Sequence, residues 1–202
     1  MGRLPMQLNS DSINSVLNHT GTLNLETDRF ILRKFHLSDV HDVFTNWASD
    51  KDSAKYNAWS VHTSQEVTKE YVTEWVEWYK KKNYYHWAIT DKETEEVIGS
   101  VSVSNIRERK KYCEIGYTVA QKRWNQGIAT EVLIKVLDFL TDEVGFETIR
   151  ALHDIRNISS GRVMKKAGMV FVKNKTQIFL SGQNLVMKCS VYEYKKVAPQ
   201  LQ

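Results

Sequence analysis

The residues best suited to chemistry form one continuous stretch: Gln121-Lys122-Arg123-Trp124-Asn125-Gln126-Gly127-Ile128-Ala129-Thr130-Glu131. An alternating run, Tyr112 to Val119, precedes it and reads as a strand. A helical pattern follows, carried by Ile128, Val132, Leu133, Val136, Leu137 and Leu140. A strand, a short loop with one glycine and a strong helix bring backbone N–H groups together. The first turn of a helix has unpaired donors and the positive end of the dipole, so such a turn can hold a phosphate. Gly127 and Ala129 serve equally well to let a helix pack closely on a sheet. No Gly-Lys-Ser/Thr follows and no Gly-x-Gly-x-x-Gly is present, which excludes two common nucleotide loops.

Other elements must position this loop. Residues 1–22 are polar and read as an N-terminal arm, flexible or with one small docked helix; residues 196–202 read as a tail. One domain is expected over residues 23–195. Leu25 to Phe35 reads as a strand. A helix capped by Ser38 runs through Val40, Val43, Phe44 and Trp47. Thr63 and Glu66 have capping-box spacing, ahead of a helix with Val67, Tyr71, Trp75 and Trp78 at helical period. Trp75 and Trp78 are expected in the core, and Trp59, in a loop, as a cleft wall. Tyr85–Thr90, Val97–Ile106 and Tyr112–Val119 form an antiparallel meander. The loop-helix ends near Gly145. Strand Ile149–His153 follows, then a helix starting at Asn157 or Ser159 and ending at Gly168, then strands Met169–Lys173 and Leu185–Tyr194. The block 176–184 reads as a turn or short strand. The class is α+β.

Composition narrows the partners. The chain has 202 residues, 42% of them apolar, and a net charge of +4. Basic and acidic side chains are interleaved, so nucleic acid is not the expected partner. Cys113 and Cys189 sit in strand patterns and read as reduced core residues. The six His and two Cys show no metal-ligand spacing, and no metal is expected. There is no signal peptide and no long apolar run. Met6 stands where an N-myristoylation signal wants Ser or Thr. A cytoplasmic protein with no membrane partner is expected, as a monomer or a homodimer. Leu185–Tyr194 is the candidate strand for pairing with a second subunit.

The element order resembles the GNAT acyltransferase fold. That resemblance implies a mixed central sheet of about six to seven strands flanked by about four helices. In this family the loop-helix binds the pyrophosphate of acetyl-CoA through a Gln/Arg-x-x-Gly-x-Gly/Ala pattern. Trp124-Asn125-Gln126-Gly127-Ile128-Ala129 occupies it, with Trp replacing the first Gln or Arg. Trp at that place, followed by Ala129-Thr130-Glu131, is similar to the RimJ/RimL branch, although Asn125 stands where Gly is common. Glu114-Ile115-Gly116-Tyr117 resembles the branch's fourth strand, Asn157 to Met169 its Asn-x-x-Ser segment, and Leu25 to Arg33 its opening.

The implied reaction moves an acetyl group from acetyl-CoA to an amine. By resemblance, backbone N–H groups of Trp124, Asn125, Gln126, Gly127, Ile128, Ala129 and Thr130 hold the pyrophosphate. Ile115, Tyr117 and Val119 pair with the pantetheine arm. Asn157 is read both as a helix cap and as a pantetheine contact. Ser160 lies near the thioester sulfur by resemblance, or is a helix-start hydroxyl. Met164 stands where many members carry the tyrosine that protonates the thiolate, and it cannot donate a proton. Glu114 is the candidate base, or a plain strand carboxylate. His153 is read as a structural histidine that could alternatively relay a proton. An α-amine with pKa near 8 is roughly one-tenth neutral at pH 7, and a lysine amine on the order of one in a few thousand. That difference favours a peptide or protein N-terminus. The alternatives are a small amine (polyamine, aminoglycoside or amino-acid derivative) or a non-catalytic acyl-CoA sensor.

Overall fold

The computed structural model describes residues 17–56, 60–179 and 185–195. Eight strands form one sheet: β1 (Leu25–Glu26), β2 (Phe30–Arg33), β3 (His86–Asp91), β4 (Val97–Arg107), β5 (Tyr112–Val119), β6 (Thr148–Asp154), β7 (Val170–Phe179) and β8 (Leu185–Lys195). Their spatial order is β1-β2-β3-β4-β5-β6-β8-β7. All neighbours are antiparallel except β5 and β6, which run parallel. Parallel neighbours require a crossover, and a helix supplies it here. The helices are α1 (Val40–Val43), α2 (Lys51–Ala54), α3 (Gln65–Trp78), α4 (Ile128–Phe139) and α5 (Ile158–Lys166).

Among the described residues the expected mixed sheet is therefore present, with eight strands where about six to seven were expected and five α-helices where about four were. One extra strand arises because Leu25 to Phe35 is not continuous. The chain turns at residues 27–29, where Thr27 N–H donates to Phe30 O (3.0 Å) and Phe30 N–H donates to Thr27 Oγ1 (3.1 Å). That turn sets Leu25 opposite Leu32. The extra helix is the single turn α2, whose Asp50 cap accepts from the N–H groups of Asp52 and Ser53. The block 176–184, read as a turn or a short strand, is strand through Phe179, continuous with β7; residues 180–184 lie outside the described residues.

The sheet has two covered faces, and β3 shows how the sequence produces them. Trp87 and Ile89 point into a core shared with Val132, Leu133, Val136 and Leu137 of α4 and Met164 of α5. Ala88 points the other way, to Val43 and Trp47 from the α1 side and Val72 of α3. All six β3 residues are buried, as expected of a strand covered on both faces. Burying each Leu or Val contributes about 1.5–3 kcal/mol, so the α4 face is a principal source of stability.

Three local expectations shift. The first helix starts at Leu37 and is organised by Asp39, which accepts from His36 N–H (2.8 Å) and from both Arg33 guanidinium nitrogens (2.8 and 2.9 Å), and not by Ser38. Ser64, not Thr63, caps α3, accepting from Val67 N–H. The buried stripe of α3 carries Thr68 and Val72, so Trp78, expected in the core, is 40% exposed; it meets Tyr84 edge-on and carries the Lys81 ammonium over its ring. Trp75 packs on Phe35 and His86.

Residues 17–22, read as the end of the arm, are docked. Leu17 is buried, Asn18 N–H donates to Val144 O (2.8 Å), and His19 bridges Tyr85 Oη and Glu108 Oε1 at 2.8 Å each. Thr22 Oγ1 donates to Tyr84 O and accepts from His86 N–H, both at 3.0 Å. Residues 1–16 and the tail 196–202 lie outside the described residues. The strand expected to meet a second subunit is also corrected: β8 lies between β6 and β7, and β7 carries the free edge.

Candidate active site

The site follows from one break in the sheet. The β5–β6 pairing runs from Tyr112↔Thr148 to Ile115↔Ala151 and stops there. Both strands continue, to Val119 and Asp154, without pairing to each other. On its other side β5 stays paired to β4 from Gly116 to Val119. The backbone of residues 116–119 thus presents one edge to an open split, where an extended polar chain can bond as a strand would.

The loop at the end of β5 leads directly into α4. Asn125 (φ 62°) and Gly127 (φ 78°) both adopt left-handed conformations, which turn successive N–H groups toward one side as a nest. Among the described residues, none accepts a hydrogen bond from the backbone N–H of Asn125, Gln126, Gly127, Ile128, Ala129 or Thr130; the first α4 bond is Glu131 N–H to Gly127 O. These donors fit a phosphate. The Trp124 N–H, expected among them, is used internally: it donates to Gln121 O (3.0 Å), while its indole N–H donates to Val119 O (2.7 Å). Trp124 therefore ties the loop to the end of β5. Arg29 braces the other side, donating to Gln126 O (3.1 Å) and to Glu131 Oε2 (2.8 Å from Nε). Burial raises the Glu131 pKa, but bonds from Thr27 and Arg29 outweigh it and hold the carboxyl below its usual range.

Across the split stands the start of α5. Asn157 Oδ1 accepts from Ser160 N–H (3.2 Å), so its cap role is confirmed geometrically. The preceding turn is fixed by Asp154, which is 2% exposed and receives Arg156 at both oxygens (2.8 and 2.6 Å). Those bonds are the leading cause of its lowered pKa. Tyr117 reaches from β5 to α5: its hydroxyl donates to Ser160 O (3.0 Å) and lies 2.8 Å from Ser160 Oγ. Burial raises the Tyr117 phenol pKa, opposed by the Ser160 bond, so it remains a proton donor at neutral pH. The sequence reading placed Tyr117 only as a backbone contact. Its side chain was legible as an aromatic on β5, but its meeting with Ser160 was not.

A cavity of about 440 Å³ opens on the face of the split opposite α4, between the β5 residues Gly116 to Thr118 and the α1–α3 side of the molecule. Trp47, Tyr56, Tyr71, Trp75 and Met187 contribute to its wall, with His62, His86, His153 and Asp154. Trp59, expected as a wall, lies outside the described residues. Glu114 is not part of the wall. It is one step back from Gly116 on the same face of β5, about 7 Å along the strand, and its Oε1 accepts from Tyr112 Oη (2.6 Å). His153 Nδ1 is 2.7 Å from Asp154 O, and its Nε2 is buried without a partner among the described residues. It lies against Gly161, where an added Cβ would come within 2.8 Å of Nε2. Met164 is buried in the core.

Two histidines in the wall are uncharged at neutral pH. Burial lowers the His62 pKa and takes that of His86 from 6.5 to about 3. Between those two values an unfolded chain binds a proton at this position that the folded chain refuses. Stability therefore rises with pH through this window and is lost on acidification. His86 is expected to contribute about 1.4 kcal/mol per pH unit between pH 6.5 and 5. Urea unfolding of wild type and His86→Phe checks it: the variant should show the flatter pH dependence.

An open sheet split, with a free N–H nest at one end and a cavity on its far side, fits the class that the sequence resemblance implied, an N-acetyltransferase. The chain belongs to the GNAT acetyltransferase family: the profile of the acetyltransferase (GNAT) domain matches residues 29–170. It is similar to the uncharacterized N-acetyltransferase YoaA of Bacillus subtilis (strain 168), 28% identical over 144 residues that span 71% of this chain and 81% of the relative. Its fold is similar to ribosomal-protein-S5-alanine acetyltransferase of Vibrio fischeri (TM-score 0.73, 20% identity, 86% of this chain and 96% of that one). It is also similar to the microcin C7 self-immunity acetyltransferase MccE, solved with acetyl-CoA and AMP (TM-score 0.74, 16% identity, 84% and 94%). The protein is an N-acetyltransferase enzyme. Among the described residues no helix is long and apolar enough to cross a membrane.

Proposed function

We propose that the enzyme transfers the acetyl group of acetyl-CoA to a primary α-amine in a ternary complex, as a member of the RimJ/RimL-like branch. The observation that carries this reading is the split after Ile115↔Ala151, with the unpaired loop donors on one side and a cavity on the other. The N–H groups from Asn125 to Thr130 hold the pyrophosphate, and the free edge of β5 aligns the pantetheine. Both reactants then meet at Gly116 and Tyr117, which removes the entropy cost of a bimolecular encounter.

The amine nitrogen attacks the thioester carbonyl carbon; the new N–C bond forms and the C–S bond breaks. Backbone N–H on the β5 edge receives the developing oxyanion. The ammonium proton leaves through water toward Glu114. The departing thiolate takes a proton from the Tyr117–Ser160 hydroxyl pair, which fills the role that Met164 cannot. Glu114 acts at a distance on a low-pKa amine, so its contribution is small. Glu114→Gln is expected to lower kcat/KM about tenfold at pH 7, at or below the low end for acid–base catalysis, and to recover by pH 9, where free amine is abundant. A loss that is equal at both pH values removes Glu114 as the base.

Thiol release from acetyl-CoA with an amine panel, beside calorimetric CoA binding, tests the whole proposal. Binding with turnover supports it. Binding with no turnover on any amine favours the sensor reading, and absence of binding overturns the donor assignment.

A further inference from the structure

We propose that the acceptor cavity selects an amine carried on an uncharged aromatic body, and rejects polycations such as polyamines and aminoglycosides. This rests on the acetyltransferase reading above and names the substrate class of that site.

The wall is rich in rings and poor in free charge. Tyr71 stacks on His62 at 4.7 Å and 16°, and Trp75 meets His86 edge-on at 4.6 Å. These four rings line the same cavity as Trp47 and Tyr56. His62 and His86 are more than nine-tenths buried, and a third lining histidine, His153, is buried with its Nδ1 2.7 Å from Asp154 O. Neither His62 nor His86 is protonated at neutral pH, so neither repels an incoming ammonium nor binds an anion. Among the described lining residues the one carboxylate is Asp154. Both of its oxygens are already held by Arg156, so it offers no free charge.

Physical chemistry separates the candidate acceptors on these facts. A polyamine or aminoglycoside brings several ammonium groups, and each loses hydration on entry. Without free carboxylates that loss is not repaid. An aromatic monoamine brings one amine, which is neutral when it attacks, and a flat ring that edge-to-face and stacked contacts favour. A volume of about 440 Å³ lies within the usual range for a drug-sized ligand. Ser100, Ser102 and Thr118 supply the few hydroxyl groups that orient it. An N-terminal aromatic residue of a peptide and a free aromatic amine share this chemistry.

Thiol release at pH 8 with tryptophanamide, glycinamide and spermidine tests the assignment, since the two amides carry amines of similar type. Tryptophanamide is expected to exceed glycinamide in kcat/KM by at least about tenfold, with spermidine below both. Equal rates for the two amides, or preference for spermidine, overturn it. Ser102→Asp, which adds a carboxylate to the wall, should shift preference toward spermidine; an unchanged ratio counts against the cavity as the acceptor site. Thermal stabilisation by each amine, with and without CoA, reads the cavity independently of turnover. If CoA fails to bind, the donor reading falls, yet stabilisation by tryptophanamide over spermidine still supports the cavity's preference. No stabilisation by tryptophanamide, with no turnover, overturns the proposal. A Trp-Gly-Gly tripeptide outpacing tryptophanamide assigns the ring to a peptide N-terminus, and the reverse to a small molecule.

Discussion

Replacing Gly127 with valine is expected to raise the dissociation constant for CoA about a hundredfold, or roughly 2.7 kcal/mol. Gly127 holds φ 78° at the start of α4. A β-branched residue is a genuine outlier there. Space is not the obstacle, because an added Cβ would meet only Arg29 Nη2 at 3.7 Å. The backbone is the obstacle. Returning φ to negative values rotates the Gln126–Gly127 peptide and disperses the N–H groups that converge on the phosphate. The Gly127 carbonyl, which accepts from Glu131 N–H (3.1 Å), would shift as well. Gly127→Ala keeps the strain but lacks the branch, so an intermediate loss is expected. Calorimetric titration with CoA, beside a urea melt showing that the variant is folded, checks it. A folded Gly127→Val that binds CoA normally removes this loop from the donor site.

Tyr117→Phe should lower kcat by ten- to a hundredfold while leaving CoA affinity within about twofold. The estimate lies at or below the low end for general acid catalysis, because a thiol of pKa about 8.5 leaves with little help. The phenol is half-buried and its hydroxyl reaches both oxygens of Ser160. Phenylalanine keeps the ring packed against the core while removing only that hydroxyl. The two residues touch, so their losses in stability are coupled whatever the bond does; a shared proton route shows instead in kcat, where the double Tyr117→Phe/Ser160→Ala variant should be no slower than the worse single one. Additive losses, or a loss appearing in KM alone, argue against the hydroxyl pair as the proton donor.

Much of the scaffold was legible because it is local. The alternation over Tyr112–Val119 and the 3.6-residue pattern from Ile128 fixed β5 and α4 before any contact was known. Asn157 was read as a cap and is one. Where two local signals compete, the reading slipped by one residue. Ser64 caps α3 where Thr63 was expected, and the inward stripe runs through Thr68, Val72 and Trp75, which leaves Trp78 at its margin, 40% exposed. The turn at 27–29 was missed because Thr27, Asp28 and Arg29 lack a Gly or Pro signal.

The sequence by itself determined the family, the order of elements and the loop whose backbone donors are left free, since all three depend on neighbours within a few residues. Tertiary structure alone decided the rest. It placed Tyr117 on Ser160, 43 residues away, and turned the Trp124 N–H inward. It set Glu114 one step behind the split and brought Trp47, from the turn that follows α1, together with rings of α3 and β3 around a single cavity with little free charge. The reason is physical. Helix and strand periods are written in short runs of side chains, whereas a site is made where a sheet stops pairing, and no local pattern records where that happens.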